Sequence, residues 1–300
     1  MVSLQLDPLV SVACQLCESD KAEPLYKISG FKEDPREFNI VKCEACGFVY
    51  INPAYSKKAN IDSYDTTYYT DQVADPSGKV RSFLSDKKEK TNDHRVEWKF
   101  IKKYKVSGKI LDLGSGPGFF LDALEGHWEK FAVDTSEFSL SNIQDPEVKK
   151  FKGELLEACF EENFFDAIYM GHTLDRLTNL KETLSELNRV LKPGGIICIV
   201  TPNFSSLCAK VFKNKYRLLY SNHLVYFSPE TLKQLFERNG FKLIDIYYPF
   251  FGTSFFSYIG FLKGTGKIIT QAILNLLSMP QKLVSPPYRG NIICAIISKD

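Results

Sequence analysis

The chain has 300 residues, with 38 lysines and arginines against 36 aspartates and glutamates, so its formal net charge is +2. Hydrophobic residues make up 44% and charged residues 25%. These values are ordinary for globular proteins and exclude a disordered tail, a collagen-like chain and a disulfide-packed miniprotein. The balanced charge disfavours a surface that neutralises many phosphates, and with it a nucleic-acid partner, but leaves a local basic patch open.

The first twelve residues have neither the basic start nor the apolar stretch of a secretory signal. The longest uncharged run, residues 246–262, contains one proline and two glycines. These residues interrupt the run too often for a clean membrane span. We therefore expect a cytoplasmic protein.

Two tight cysteine pairs lie near the start of the chain. Cys14 and Cys17 form one C-x-x-C, and Cys43 and Cys46 form the other. Two such pairs can wrap four thiolates tetrahedrally around Zn²⁺, and Gly47 suits the tight turn after the second pair. A redox site needs only one pair. The pattern predicts a zinc site with a structural role, because the protein fills all four positions.

The chain divides by composition near residues 53 and 108. Turn-rich sequence surrounds the cysteines, a polar stretch rich in tyrosine and lysine follows, and strands then alternate with helices. We predict a zinc-binding unit over 1–53, a helical linker or cap over 54–107, and a core domain over 108–300. Insertions at 202–228 and 249–290 are expected to lie over the active site.

The core domain shows buried strands separated by amphipathic segments. Apolar runs predict strands at 109–113, 131–133, 165–170 and 196–200, followed later by 241–248 and 291–298. Leucines at helical spacing predict a helix over 180–191. Strand–helix alternation with buried strands indicates a parallel α/β sheet. Ser228, Pro229 and Gly240 have the residue types that cap, begin and end a further helix.

A glycine-rich turn follows the first core strand. Gly114, Gly116 and Gly118 let the backbone approach a ligand closely, and we expect the turn to open a helix whose N-terminus favours an anion. The spacing G-x-G-x-G, with Asp112 two residues ahead, does not match the dinucleotide pattern G-x-G-x-x-G. Asp134 ends the next strand, where a carboxylate can accept hydrogen bonds from both hydroxyls of a ribose. This order predicts a nucleoside-type cofactor.

These motifs, together with Gly153-Glu154-Leu155 and the segments 163–175 and 191–203, resemble the class I S-adenosylmethionine-dependent methyltransferases. The resemblance implies a Rossmann-like sheet of seven strands with the last one antiparallel. It also implies that the glycines hold the amino-acid end of S-adenosylmethionine and that Glu154 and Leu155 lie near the adenine. The implied cofactor-binding residues are Asp112, Gly114, Ser115, Gly116, Gly118, Asp134, Thr135, Glu154, Leu155, Met170 and Gly171.

The cysteine unit ahead of such a core resembles bacterial enzymes of surface-polysaccharide and sugar biosynthesis. The resemblance implies methyl transfer to a small-molecule or glycan acceptor, and we expect a sugar hydroxyl. A sugar carbon, a quinone-type hydroxyl and RNA remain alternative acceptors, and a non-catalytic scaffold that binds the cofactor is a further alternative. The apolar stretches 250–262 and 268–279 are expected to form a lid or an oligomer contact. Lys263 and Lys267 leave a peripheral membrane contact open.

A hydroxyl acceptor benefits from a general base, and histidine titrates in the right range. His223, in the segment after the fifth core strand, is the preferred base, with Tyr226 as an alternative. His172 follows the fourth strand at the edge where ligands bind such sheets. We expect His94 to be solvated. Many relatives carry Glu-His after the fourth strand, whereas this chain has Asp175-Arg176.

Overall fold

The computed structural model describes residues 7–31, 34–71, 73–74, 80–216, 218–249 and 290–300. The apolar stretches of 250–289, including the expected lid, lie outside the described residues. The helices are α1 Lys57–Asp62, α2 Thr66–Thr70, α3 Lys87–Ile101, α4 Glu137–Ser141, α5 Leu180–Val190, α6 Leu207–Phe212 and α7 Pro229–Glu237. The strands are β1 Ala22–Ser29, β2 Glu37–Cys43, β3 Val49–Ile51, β4 Val73–Ala74, β5 Val80–Arg81, β6 Gly108–Leu113, β7 Trp128–Asp134, β8 Lys149–Lys152, β9 Phe165–Gly171, β10 Leu191–Pro202, β11 Val225–Tyr226, β12 Phe241–Tyr247 and β13 Ile292–Lys299.

A seven-stranded sheet in the order β12-β13-β10-β9-β6-β7-β8 forms the centre of the molecule. Strands β6 to β10 run parallel, and the last strand, β13, is antiparallel to both of its neighbours. The predicted α/β class, the seven strands and the antiparallel last strand are confirmed. The six strands predicted one by one are all present. The seventh, β8, was missed because its sequence KKFK is mostly exposed at the sheet edge.

The glycine turn after β6 does not open an α-helix as expected. The segment between β6 and β7 contains only a 3-10 helix, Leu121–Ala123. Phe119 and Phe120 are buried in this link, at 4% and 2% exposure. Gly114, Gly116 and Gly118 all have positive φ values, which interrupt α-helical geometry through the start of this link. Helix-dipole binding of an anion is therefore not available at this turn.

The predicted helix after residue 228 has the expected ends. The Ser228 hydroxyl accepts a hydrogen bond from the Thr231 backbone N–H at 3.2 Å, and Pro229 is the first residue of α7. Gly240 follows the helix with a φ of 79°, a value that glycine adopts without strain. Among the described residues, no helix is long and apolar enough to cross a membrane.

A second sheet joins the N-terminal unit to the core domain. Strands β1, β2 and β3 are extended by β11, which comes from the segment predicted as an insertion at 202–228. In register, Tyr50 pairs with Val225 and Val49 with Tyr226. Buried residues from both sheets meet in one hydrophobic cluster, which lies on one side of the central sheet, while a second cluster contains other residues of the central strands. The first 53 residues therefore contribute three strands to a sheet that the later chain completes.

Candidate active site and candidate metal centre

The three glycines of the turn have different structural reasons to be glycine. All have positive φ values, of 73°, 51° and 76° at Gly114, Gly116 and Gly118. A Cβ at Gly114 would lie 2.2 Å from the Thr173 hydroxyl oxygen, and one at Gly118 would lie 2.9 Å from Ile143 Cγ1. A Cβ at Gly116 would meet no atom closer than 3.9 Å. Open space over Gly116 fits a ligand that approaches the backbone there.

Asp134 holds the turn as well as facing the cavity. Its Oδ2 accepts a hydrogen bond from the Gly116 N–H and its Oδ1 from the Ser136 N–H, both at 2.8 Å. Burial raises the pKa of this carboxyl, and these two backbone donors oppose that shift. Each carboxylate oxygen keeps a further lone pair with which it can accept a ligand hydroxyl.

Asp112 presents an unpartnered carboxylate oxygen at the same place. The residue is 2% exposed, and its Oδ2 has no hydrogen-bond partner among the described residues. Burial, with added repulsion from Asp134 and Glu97, raises its pKa well above the ordinary value. A buried polar atom without a partner is costly, so this oxygen fits a site that a polar ligand completes.

A cavity of about 460 Å³ runs along the carboxyl ends of the parallel strands. Such a volume is in the usual range for small-molecule and cofactor sites. Most of the residues predicted for the site line it: Asp112, Gly114, Ser115, Gly116, Asp134, Thr135, Glu154, Leu155, Gly171, His172 and His223.

Three residues predicted for the site lie elsewhere. Met170 is fully buried in the hydrophobic core, because alternate residues of β9 point to opposite faces of the sheet. Gly118 packs against Ile143 and does not line the cavity. The Tyr226 hydroxyl donates to the Tyr220 carbonyl oxygen at 2.8 Å, and the tyrosine also lies outside the cavity lining. These contacts disfavour the candidate base role of Tyr226.

Glu154 lines the cavity and also closes it. Its backbone N–H and side chain form a capping box with Glu157 at the 3-10 helix Leu155–Ala158. Its Oε2 accepts hydrogen bonds from Lys57 Nζ at 2.6 Å and from Asn179 Nδ2 at 3.1 Å. The carboxylate thus ties α1 to the residue that precedes α5 at this end of the cavity.

His172 lies at the carboxyl end of β9 in a strained conformation. Its φ is +55°, which is uncommon for a residue with a side chain, and its backbone N–H donates to the Val200 carbonyl at 2.7 Å. No hydrogen bond of its ring appears among the described residues. Burial lowers the pKa of His172, with Asp175 opposing and Arg176 adding to the shift. This shift favours the neutral ring, which is the form that can accept a proton.

His223 has both ring nitrogens directed at charged side chains. Arg176 Nη2 donates to Nε2 at 3.1 Å, while Nδ1 lies 3.3 Å from Asp175 Oδ2. Burial is the main cause that lowers the pKa of His223 to about 3. A base with so low a pKa, whose lone pair already accepts a hydrogen bond, is a poor proton acceptor near neutral pH. These contacts disfavour the predicted base role, which remains untested.

Helix α3 contributes a polar group that the sequence interpretation missed. Glu97 is 8% exposed, and it accepts hydrogen bonds from the Tyr169 hydroxyl at 2.5 Å and from His94 Nδ1 at 2.8 Å. All three residues line the cavity. The expectation that His94 is solvated is therefore wrong. The i, i+3 spacing of His94 and Glu97 was the available signal for their pairing.

The four cysteines of the two pairs converge as predicted. Cys14 Sγ and Cys46 Sγ are 3.5 Å apart, as are Cys17 Sγ and Cys43 Sγ, and all four sulfurs lie within 4.8 Å of one another. A tetrahedron with Zn–S bonds of about 2.3 Å places its sulfurs about 3.8 Å apart. The four sulfurs can therefore hold a zinc ion.

Both cysteine turns have the same backbone form. The residue after each pair is left-handed, with φ values of 62° at Glu18 and 74° at Gly47. The Glu18 N–H donates to the Cys14 carbonyl at 2.8 Å, and the Gly47 N–H donates to the Cys43 carbonyl at 2.9 Å. The matching turns aim each pair of thiols at a common centre.

The sheet order, the glycine turn and the acid after the second parallel strand define an S-adenosylmethionine-dependent methyltransferase. Residues 79–246, more than half of the chain, match a family model described as a methyltransferase domain, and the chain belongs to this family. Asp112 and Gly116 fit such a cofactor, since one offers an unpartnered oxygen and the other offers open space.

Similar proteins support the same class. A demethylmenaquinone methyltransferase of Staphylococcus haemolyticus is 31% identical over 51% of this chain and 77% of its own length. The Staphylococcus aureus protein of that name is 32% identical over 44% of this chain and 67% of its own length. An S-adenosylmethionine-dependent methyltransferase structure from Thermotoga maritima covers 73% of this chain and 94% of its own, with 19% identity and a TM-score of 0.50. The structure of a Haloferax volcanii complex between a methyltransferase and the Trm112 activator contains a further similar chain. The match covers 71% of this chain and 91% of that one, with 14% identity and a TM-score of 0.52.

Proposed function

We propose that this methyltransferase acts on a hydroxyl of a small polar acceptor, a sugar unit of surface-polysaccharide biosynthesis. The observation that carries the proposal is the composition of the cavity beyond the cofactor residues. That end is lined by Tyr64, Tyr68 and Tyr220 together with the polar side chains of Asn60 and Arg176. Aromatic faces beside hydrogen-bonding groups suit a ring that carries hydroxyls better than a wholly apolar acceptor.

The sheet order supports a placement of the cofactor along the cavity. The carboxyl ends of β8, β7, β6, β9 and β10 lie side by side. Glu154 and Leu155 follow β8 and would face the adenine. Asp134 at the end of β7 would accept hydrogen bonds from the ribose hydroxyls. Gly114 and Gly116 follow β6 and would face the amino-acid end. The acceptor would then lie over β9 and β10.

His172 is the proton acceptor that the contacts favour. When bound, S-adenosylmethionine supplies an activated methyl group, so the protein mainly aligns the acceptor and excludes water. His172 would take the acceptor's hydroxyl proton while the acceptor oxygen bonds to the methyl carbon, the carbon–sulfur bond breaks and S-adenosylhomocysteine leaves. His223, held between Arg176 and Asp175, would then position the guanidinium.

The cysteine cluster would hold a structural zinc ion. Four thiolate ligands leave no open position for chemistry at the metal. The ion would stabilise the β2–β3 turn region, and β3 pairs directly with β11, which begins two residues after His223. We therefore propose that residues 1–53 act as a zinc unit that supports the acceptor side of the active site.

The relatives favour a second candidate function. The two staphylococcal proteins described above are named for demethylmenaquinone, so methylation of a quinone is the alternative to a sugar. The discriminating experiment uses S-adenosylmethionine labelled in its methyl group, purified protein and a fractionated extract of the source cells. Label in a nucleotide-sugar or glycan fraction would support the first candidate, and label in the extracted quinones would support the second. Label that ribonuclease removes would indicate RNA as the acceptor and contradict both candidates. Label in none of the fractions would favour a non-catalytic protein that only binds the cofactor.

A further inference from the structure

The acceptor end of the cavity contains a guanidinium that neutral groups hold in place. Arg176 Nη1 donates to the Tyr68 hydroxyl at 3.3 Å and Nη2 to His223 Nε2 at 3.1 Å. Its Cζ lies 5.2 Å from the centre of the Tyr64 ring. Asn60 Nδ2 fixes the backbone by donating to the Arg176 carbonyl at 2.8 Å. Within the part of the chain that the structure describes, no carboxylate lies at hydrogen-bond distance from this side chain.

The charge of Arg176 is only loosely compensated. Its nearest carboxylate oxygen in an ion pair, Asp175 Oδ2, lies 3.9 Å from Nε and also faces His223 Nδ1. The other oxygen of Asp175 accepts from the Thr201 hydroxyl at 3.2 Å. A guanidinium has five N–H donors. Tyr68 and His223 take two of them, and Nε has no hydrogen-bond partner among the described residues.

A second cation lies on the same cavity wall. Lys90 lines the cavity, and its ammonium lies 4.0 Å from the centre of the Phe83 ring. No carboxylate within the described chain forms an ion pair with it at 4 Å or less. The Phe83 ring is 5.8 Å from that of Tyr68, which accepts from Arg176. Aromatic rings therefore connect two cations, of which Arg176 has one long ion pair with Asp175 and Lys90 has none within the described residues.

We infer that Arg176 binds an anionic group, a phosphate or a carboxylate, carried by the methyl acceptor. Guanidinium matches both groups in geometry and binds them with two parallel hydrogen bonds. The inference rests on the proposed function in assigning the anion to the acceptor. It distinguishes the two acceptor candidates, because a phosphorylated sugar carries such a group and a quinone ring does not.

The cofactor's own carboxylate is the competing occupant. Arg176 follows β9 and contacts His223, whereas the glycine turn follows β6 and contacts Asp134. The strand order therefore places Arg176 on the acceptor side. Cofactor affinity measured in the same variants separates the two assignments.

The test measures anion binding without turnover. Protein saturated with S-adenosylhomocysteine is titrated calorimetrically with pyrophosphate and, separately, with acetate. We expect one of these anions to bind at least tenfold more tightly to the native protein than to Arg176→Gln. If that anion is pyrophosphate, the acceptor carries a phosphate, and if it is acetate, the acceptor carries a carboxylate. Arg95→Gln, which removes an exposed arginine of α3, should bind that anion as the native protein does. S-adenosylmethionine affinity should be equal in all three proteins.

Binding of neither anion, or equal binding by native protein and Arg176→Gln, would overturn the inference. A parallel loss of cofactor affinity in Arg176→Gln would also overturn it, by assigning the residue to the cofactor. If Arg176→Gln does not fold, Arg176→Lys replaces it, because lysine keeps the charge without the forked donors. Its anion affinity should fall three- to tenfold, and an unchanged affinity would count against the inference. If the anion binds through Arg176 but the protein transfers no methyl group to any acceptor, the proposed function is contradicted and the anion site is not.

Discussion

The cysteine cluster and the acceptor end of the cavity are built in opposite ways. The cluster takes its four sulfurs from two short turns, Cys14–Cys17 and Cys43–Cys46, each closed by a left-handed residue. The acceptor end takes Asn60, His172 and His223 from parts of the chain that are far apart in sequence. A site made of local turns can be read from residue spacing, whereas a site made of distant side chains depends on how the sheet and its connections pack.

The two regions are nevertheless physically connected. Strand β3 follows the second cysteine turn, and its Ile51 N–H donates to the Leu224 carbonyl at 3.0 Å. Leu224 is the residue next to His223. The local site is thus expected to support the distant one through a few backbone hydrogen bonds, and the following predictions test that dependence in order of decreasing effect.

Removal of the metal should have the largest effect. With Cys46→Ser, bound zinc should fall from one per chain to near zero, and the melting temperature should drop by about 10 °C, because a structural metal contributes folding free energy directly. Methyl transfer should fall while affinity for S-adenosylmethionine changes less than threefold. Metal analysis, thermal unfolding and calorimetry measure these three quantities.

The matched control is Cys159→Ser, which changes an exposed cysteine outside the cluster. It should keep the native zinc content and melting temperature. Full zinc content in Cys46→Ser would contradict the assignment of the cluster, and equal loss of cofactor affinity and acceptor turnover would contradict the connection through β3.

The two cavity histidines should differ strongly in their effect on turnover. His172→Asn should lower kcat by about 10³, within the range that a general base contributes, without weakening cofactor binding. Asparagine tolerates the left-handed backbone at this position better than most residues. His223→Gln should cost less than tenfold, because its pKa of about 3 and its contact with Arg176 disfavour proton transfer.

The pH profile sharpens this difference. Burial lowers the pKa of His172 from its ordinary value, so a base role requires native kcat/KM to decline at acidic pH, with its midpoint below that of a free histidine. That acidic limb should disappear in His172→Asn and remain in His127→Gln, which changes an exposed histidine. Native turnover in His172→Asn would exclude the base role.

Asp134→Ala should weaken S-adenosylmethionine binding by roughly 100-fold. The variant loses the carboxylate that accepts from Gly116 and Ser136 and the lone pairs proposed for the ribose, and hydrogen bonds to charged groups contribute about 1.5–3 kcal/mol each. Glu129→Ala, at the exposed start of the same strand, is the control and should bind normally. An unchanged dissociation constant in Asp134→Ala would remove this residue from the cofactor site.

Tyr226→Phe should have the smallest effect. It removes the hydrogen bond to the Tyr220 carbonyl and should lower the free energy of unfolding by about 1 kcal/mol, as measured by denaturant titration. Its kcat should stay within twofold of native, because the tyrosine lies outside the cavity lining. A tenfold loss of kcat at unchanged stability would return Tyr226 to the catalytic group.

The sequence by itself determined the features that depend on neighbouring residues. Apolar runs located six of the seven central strands, Ser228 and Pro229 located the start of α7, and spacing located the cysteine turns. Each of these follows from a short stretch of chain, because strand burial, helix capping and metal-binding turns are satisfied within a few residues.

Only the tertiary structure decided which side chains share the cavity. Met170 and Tyr226 stand in motifs expected to contact ligands, yet strand alternation and the pairing of β11 with β3 turn them into the interior. His94 stands in a polar helix, yet Glu97 and Tyr169 draw it into the cavity wall. Packing likewise decided the surroundings of Arg176. Its hydrogen-bond partners Tyr68 and His223 come from parts of the chain distant in sequence, so no local sequence pattern predicts them.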